Sequence, residues 1–292
     1  MQPLEPARAQ TVEIAGKTLR RLGFGAMRLA GPGIWGPPDD RANSIRVARR
    51  AVDLGIEFID TADVYGFGVT EEILAEALYP YPEHLLVSTK IGQVQTRPRE
   101  WAPVGRPEFL RHQCEASLRR LRVERIDLLS LHRVDPAVPL EDQVGELKTL
   151  QDEGKIGAVG LSEVSVGQIE QARRIVDIVS VQNIYNLAVR TWDPVVDHCT
   201  REGIAFVPWY PILAGGLVTG AGVLTDIAET LGASPAQVSL AWLLARSDVI
   251  APIPGTASTA HLEENVAAAQ IELSPEQFTA LLETPTTADV PA

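Results

Sequence analysis

Asp60, Tyr65, Lys90 and His132 are residue types that together can hand an acid proton to a carbonyl oxygen. A phenol with a reference pKa of about 10 is a weak acid at neutral pH. A nearby ammonium favours the phenolate and lowers that value. Lys90 can supply the ammonium, Asp60 can pair with it and orient it, and His132 can hydrogen-bond the carbonyl oxygen and place it. Tyr65 is then a usable acid in reduction and a base in oxidation. Singly, each residue has a plainer role: an aspartate after a strand caps a turn, a loop tyrosine packs, a histidine is structural. Only the four together, each at the end of a strand, point to chemistry.

Each follows a short apolar run that reads as a β-strand. Ile56–Asp60 leads into Thr61-Ala62-Asp63-Val64-Tyr65-Gly66, Leu85–Thr89 into Lys90, and Ile126–Leu131 into His132. Strands running into loops bring such residues to one face if they close a parallel barrel, and in a (β/α)8 barrel function collects at the C-terminal strand ends.

Helix and strand signals alternate in the order of a parallel sheet with crossover helices. Thr11–Ile14 and Thr18–Arg21, around Ala15-Gly16-Lys17, read as a small hairpin, with Leu22–Gly25 as a first barrel strand. Further strands are expected at Ile156–Leu161, Ile178–Gln182, Ile204–Pro208 and Val249–Ile253. Pro107–Leu121 starts with a proline suited to a first helical turn, and Ser165/Gln168 and Ser234/Gln237 have capping-box spacing. Leu213–Gly232 is expected to hold a loop and an extra helix, and Ser274–Leu282 a terminal helix. The fold class is therefore α/β, a single-domain (β/α)8 TIM barrel with an N-terminal β-hairpin and extra C-terminal helices. No Gly-x-Gly-x-x-Gly opens a helix after a strand, so a Rossmann site has no anchor.

The 292 residues suffice for one barrel domain, and the Gly- and Pro-rich stretch 31–38 reads as a loop rather than a linker. A formal net charge of −12 argues against a nucleic-acid partner. Two cysteines build no disulfide framework. No His/carboxylate cluster has metal-ligand spacing, and no apolar run suits a signal segment or a membrane span. A cytoplasmic protein with no membrane partner is expected; a monomer is compatible with these features.

The ordered motifs resemble the aldo-keto reductases over nearly the whole chain. They are Leu22-Gly23-Phe24-Gly25-Ala26-Met27, Asp60-Thr61-Ala62 with Tyr65-Gly66, Ser88-Thr89-Lys90, Leu131-His132, Gly160-Leu161-Ser162, Val181-Gln182-Asn183 with Tyr185-Asn186, and Ile253-Pro254-Gly255-Thr256 followed by Leu262-Glu263-Glu264-Asn265. Glu76-Ala77-Leu78-Tyr79-Pro80-Tyr81 and the Met27–Pro38 stretch look like the bacterial pyridoxal reductase (pyridoxine 4-dehydrogenase) branch. One barrel domain over residues 1–292 is then expected, with flexible tails at about 1–10 and 286–292.

The resemblance implies reduction of an aldehyde or ketone by hydride from a nicotinamide, NADP(H) preferred and NAD(H) an alternative, with Tyr65 as general acid and pyridoxal as lead substrate. A same-fold reductase of a sugar or secondary-metabolite carbonyl, and a nucleotide sensor with little turnover, are the alternatives. By the same resemblance Gly25, Ala26, Met27 and Asp60 lie along the cofactor, Ser162, Glu163 and Gln182 hold the nicotinamide carboxamide, and Trp209 stacks on its ring. Tyr210, Pro211 and Leu213 line the pyrophosphate. Gly255, Thr256, His261, Glu264 and Asn265 hold the 2′-phosphate, ribose and adenine. Met27, Trp35, Phe67, Trp101 and His132 are expected to line the substrate pocket. Three positions depart from the family pattern: Glu163 for asparagine, Gly255 for lysine and His261 for arginine. Glu163 could still accept from the carboxamide NH2. The other two remove fixed positive charge, and histidine lacks arginine's bidentate contact.

Overall fold

The computed structural model describes residues 10–212 and 222–286. Most of the two expected tails, and Leu213, lie outside these residues. β1 (Thr11–Ile14) and β2 (Lys17–Arg20) pair antiparallel, Thr11 opposite Arg20 and Ile14 opposite Lys17. Period-2 alternation puts Val12, Ile14 and Leu19 on one face. That face packs on Phe58, Leu86, Leu128, Ala158 and Ala251, so the hairpin plugs the barrel end opposite the site.

Seven parallel strands and their helices follow. They run β3 (Phe24–Gly25), α1 (Arg41–Asp53), β4 (Phe58–Asp60), α2 (Val69–Leu78) and β5 (Leu86–Ile91). A second hairpin, β6 (Gln93–Arg97) and β7 (Glu100–Pro103), interrupts the alternation. The order resumes with α3 (Pro107–Leu121), β8 (Ile126–Leu131), α4 (Leu140–Asp152), β9 (Ile156–Ser162), α5 (Val166–Arg173), β10 (Ile178–Gln182), α6 (Asp193–Glu202) and β11 (Ala205–Phe206). α7 (Val223–Leu231), α8 (Pro235–Arg246), α9 (Thr259–Ala267) and α10 (Pro275–Leu282) are the last helices among the described residues. The sheet order is β11-β10-β9-β8-β5-β4-β3.

The expected eighth strand is present as extended chain rather than as a ladder. Phe206 donates to Val249 O and Ala251 to Phe206 O, both at 2.8 Å. On its other side Gly23 and Gly25 donate to the carbonyls of Pro252 and Pro254, at 2.9 and 3.3 Å. Two prolines facing β3 can accept but cannot donate. The segment therefore closes the barrel on β3 through bonds that run one way only.

Local signals match the elements they predict. Ser165 and Ser234 make reciprocal capping boxes with Gln168 and Gln237. Gly154 (φ 77°) adopts the left-handed conformation just beyond α4. The apolar faces of the helices seal the outside of the strands in two clusters, one centred on α3 to α8 and one on α1, α2 and β3–β4.

Candidate active site

Register brings the key side chains together. Asp60, the last residue of β4, pairs across with Ser88 of β5 on one side and Gly25 on the other. Ser88 and Lys90 are two apart on β5 and share a face. Ser88 Oγ donates to Asp60 Oδ1 at 2.9 Å, and Lys90 Nζ to Asp60 Oδ2 at 2.6 Å and to Thr61 O at 2.7 Å. Lys90 is thus inside its strand, not after it, and only 1% exposed.

Tyr65 is delivered by a tight turn. Thr61 and Asp63 donate to the Ser88 and Lys90 carbonyls at 2.9 and 3.0 Å, prolonging the β4–β5 pairing. Gly66 and Gly68 take positive φ (62° and 88°) to turn the chain into α2. Beneath, Arg120 of α3 bonds Asp63 Oδ1 at 2.6 Å and the buried Glu71 at 2.8 Å. The Lys90 ammonium then sits 5.2 Å from the centre of the Tyr65 ring, and the rings of Tyr65 and His132 meet edge to face at 5.8 Å.

Burial and charge set the protonation states. Burial pushes the Tyr65 phenol above its ordinary range; Lys90 pulls it down without cancelling that rise. The lowered phenol pKa expected from the sequence is therefore corrected: desolvation is the larger effect in a site closed this tightly. Burial alone would lower Lys90, but Asp60 and Tyr65 together, through charge and hydrogen bonding, outweigh it and the ammonium is held more firmly than usual. His132 is driven well below the ordinary histidine range, by burial and then by Arg133 and Lys90, so its ring is neutral. Its buried Nδ1 has no hydrogen-bond partner among the described residues.

On the far wall the Glu163 carboxylate accepts from the Trp209 indole and from the Ile184 amide, both at 2.6 Å and both through Oε1. Glu163 has a left-handed backbone, φ 54°. Gln182 Nε2 donates to Asp60 Oδ1 at 3.1 Å. Ser162 Oγ accepts from Arg133 Nη1 at 3.0 Å.

A cleft with about 1000 Å³ of empty space, partly open to solvent, joins these groups. Of the expected residues, Gly25, Met27, Asp60, Tyr65, Trp101, His132, Gln182, Trp209, Tyr210, Pro211 and Gly255 line it. Ala26 is buried in the shell behind it. Thr256 Oγ1 accepts from the Ser258 amide, His261 stands exposed in the first turn of α9, and Asn265 is buried there. The Glu264 carboxylate is taken up by Ser234 Oγ at the start of α8. A Cβ at Gly255 would meet Gly25 O at 2.8 Å, so a side chain there would require the backbone to shift.

Trp35 and Phe67 do not line the cleft. Their rings meet edge to face at 4.6 Å, and both are more than a third exposed. Ile212 lines the cleft within the expected 210–213 stretch, and five lining residues were not anticipated: Arg28, Gln93, Arg133, Ile253 and Pro254. Arg133 directly follows His132, and that adjacency was the available signal. Trp101 reaches the cleft on the β6–β7 hairpin, where it packs with Met27 and Tyr65.

Residues 21–284 match the model of the aldo/keto reductase family. The chain belongs to that family. It is 43% identical over 279 residues to pyridoxine 4-dehydrogenase of Escherichia coli, covering 94% of this chain and 97% of that one. The glycerol dehydrogenase of Gluconobacter oxydans superposes with a TM-score of 0.84 at 28% identity, over 97% of this chain and 99% of that one. An aldo/keto reductase from Klebsiella pneumoniae, solved with NADP and acetate, does so with 0.80 at 25%, over 97% and 98%. These matches carry the closed (β/α)8 barrel. Among the described residues no helix is long and apolar enough to cross a membrane.

Proposed function

We propose that this family member reduces an aldehyde or ketone to an alcohol with NADPH, Tyr65 serving as the acid. The carrying observation is the buried Lys90–Asp60 pair, 2.6 Å apart, with its ammonium against the Tyr65 ring at the floor of the cleft.

The residues present fit a nicotinamide nucleotide. The cleft offers an aromatic face at Trp209 and an amide at Gln182, with the Ser162 hydroxyl behind Arg133, and two of its lining residues carry buried polar atoms with no hydrogen-bond partner among the described residues, His132 Nδ1 and Trp101 Nε1. Gln182, Ser162 and Trp209 would hold the nicotinamide end, and Thr256, His261 and Asn265 the adenosine end. When bound, the reduced cofactor supplies the hydride that adds to the carbonyl carbon. Tyr65, kept protonated by burial, gives its proton to the carbonyl oxygen as negative charge develops there. Lys90 stabilises the phenolate left behind, and Asp60 fixes Lys90 in place. A neutral His132 can donate from Nε2 to the same oxygen and orient it.

Pyridoxal, the aldehyde that oxidation of pyridoxine at its 4-position gives, is the lead acceptor, supported by the 43% identity to Escherichia coli pyridoxine 4-dehydrogenase. The test is loss of NADPH absorbance with purified protein, pyridoxal set beside aromatic, aliphatic and sugar aldehydes, and NADH in parallel. Turnover with pyridoxal well above the panel supports the reading. Tight NADPH binding with no turnover of any carbonyl contradicts it.

A further inference from the structure

We propose that Arg133 selects carbonyl substrates bearing an anionic oxygen beside the reacting carbon, such as a carboxylate or an ionised phenol ortho to an aldehyde. The proposal rests on the reductase reading and gives its substrate a chemical class.

Arg133 folds back over the cleft. Nη1 donates to His132 O at 2.6 Å and to Ser162 Oγ at 3.0 Å, and Cζ lies 5.8 Å from the centre of the Trp209 ring. The guanidinium is thereby fixed on three sides, against the backbone of the histidine that meets Tyr65. Its remaining edge is free. Nε and Nη2 make no hydrogen bond with any described residue. These two N–H groups point the same way along a planar fork, the geometry that receives two oxygens of an anion.

The charge around Arg133 is not balanced by the protein. Glu163 attracts it but makes no ion pair with it, and the Glu163 Oε1 atom already accepts from two other donors. Asp60, the one carboxylate lining the cleft among the described residues, is committed to Lys90. Burial further penalises the unpaired guanidinium. In a chain of net charge −12, this cleft is a local site of positive potential. Arg28, the other cation lining it, lies against Gly255, whereas Arg133 lies at His132. Arg133 and Tyr65 line the same cleft, and both contact His132. A carbonyl oxygen directed at Tyr65 and His132 leaves an ortho or α substituent within reach of the free edge. In pyridoxal that substituent is the ring hydroxyl, an acidic phenol.

The test compares wild type, Arg133→Gln and Arg133→Lys on matched pairs: 2-formylbenzoate with its methyl ester, and pyridoxal with its 3-O-methyl ether. NADPH affinity is measured separately by quenching of protein fluorescence. Wild type is expected to favour the anionic member of each pair. Arg133→Gln should lose that preference by about tenfold or more, as expected for a charged hydrogen bond, and Arg133→Lys should keep part of it. NADPH affinity should change far less than the ratio. An unchanged anion-to-neutral ratio in Arg133→Gln overturns the proposal. So does a loss of NADPH affinity matching the loss of turnover, which makes Arg133 a nucleotide contact. Either result leaves the reductase reading standing, whereas no turnover of any carbonyl by wild type removes both.

Discussion

Glu163 and Trp209 are joined by a 2.6 Å hydrogen bond that ties the loop after β9 to the loop after β11. The same carboxylate oxygen accepts the Ile184 amide. One acidic side chain therefore fixes the aromatic wall of the cleft.

Glu163→Ala should cost about 1–3 kcal/mol of stability, since it strands an indole and an amide donor. It should also weaken NADPH binding by freeing Trp209. Glu163→Gln keeps an acceptor oxygen and should restore most of both. Urea melts and nucleotide titrations of the two variants check this; equal losses in both would show that the negative charge, not the acceptor, matters.

Asp60 and Lys90 form a closed pair with side chains 5% and 0% exposed. Removing one charge leaves the other buried and alone, so Asp60→Asn should destabilise the fold by about 3–5 kcal/mol. The double variant Asp60→Asn/Lys90→Met should recover much of that loss while remaining inactive. A double-mutant cycle on thermal or denaturant stability measures the coupling.

His132 gives a pH signature. Its folded pKa lies well below the unfolded value of 6.5, so between the two the unfolded chain binds a proton that the folded chain does not. Stability supplied by the neutral ring is present above about 6.5 and is lost as pH falls toward the folded value. Wild-type Tm should therefore drop on acidification through that window more steeply than the Tm of His132→Gln. Parallel Tm curves would show that the folded protein protonates His132 normally.

Much of the barrel was legible because short apolar runs and helical periods alternate, and because Ser165, Ser234 and Pro107 mark helix starts at the residue. The tetrad was legible for a related reason. Strand ends fix which loop a side chain belongs to, and parallel register then brings those loops together.

Direction within a loop was not legible. Trp35 and Phe67 have the right loops but turn to each other, and Arg133 turns inward only because Ser162 and the His132 carbonyl hold it. The Tyr65 pKa direction depends on burial, which no spacing reveals. The β6–β7 hairpin was missed although Gln93-Val94-Gln95 and Glu100-Trp101 flank the turn residues Pro98-Arg99. Its pairing is local, but its packing on Met27 and Tyr65 is tertiary.

The measurement that bears most directly on the account is single-turnover NADPH oxidation by Tyr65→Phe with saturating aldehyde, alongside its NADPH affinity. The ring and its contact with His132 survive the change, and only the acid is lost. Turnover should fall by about a hundredfold or more with nucleotide binding nearly unaltered. A Tyr65→Phe variant that turns over like wild type would contradict Tyr65 as the proton donor.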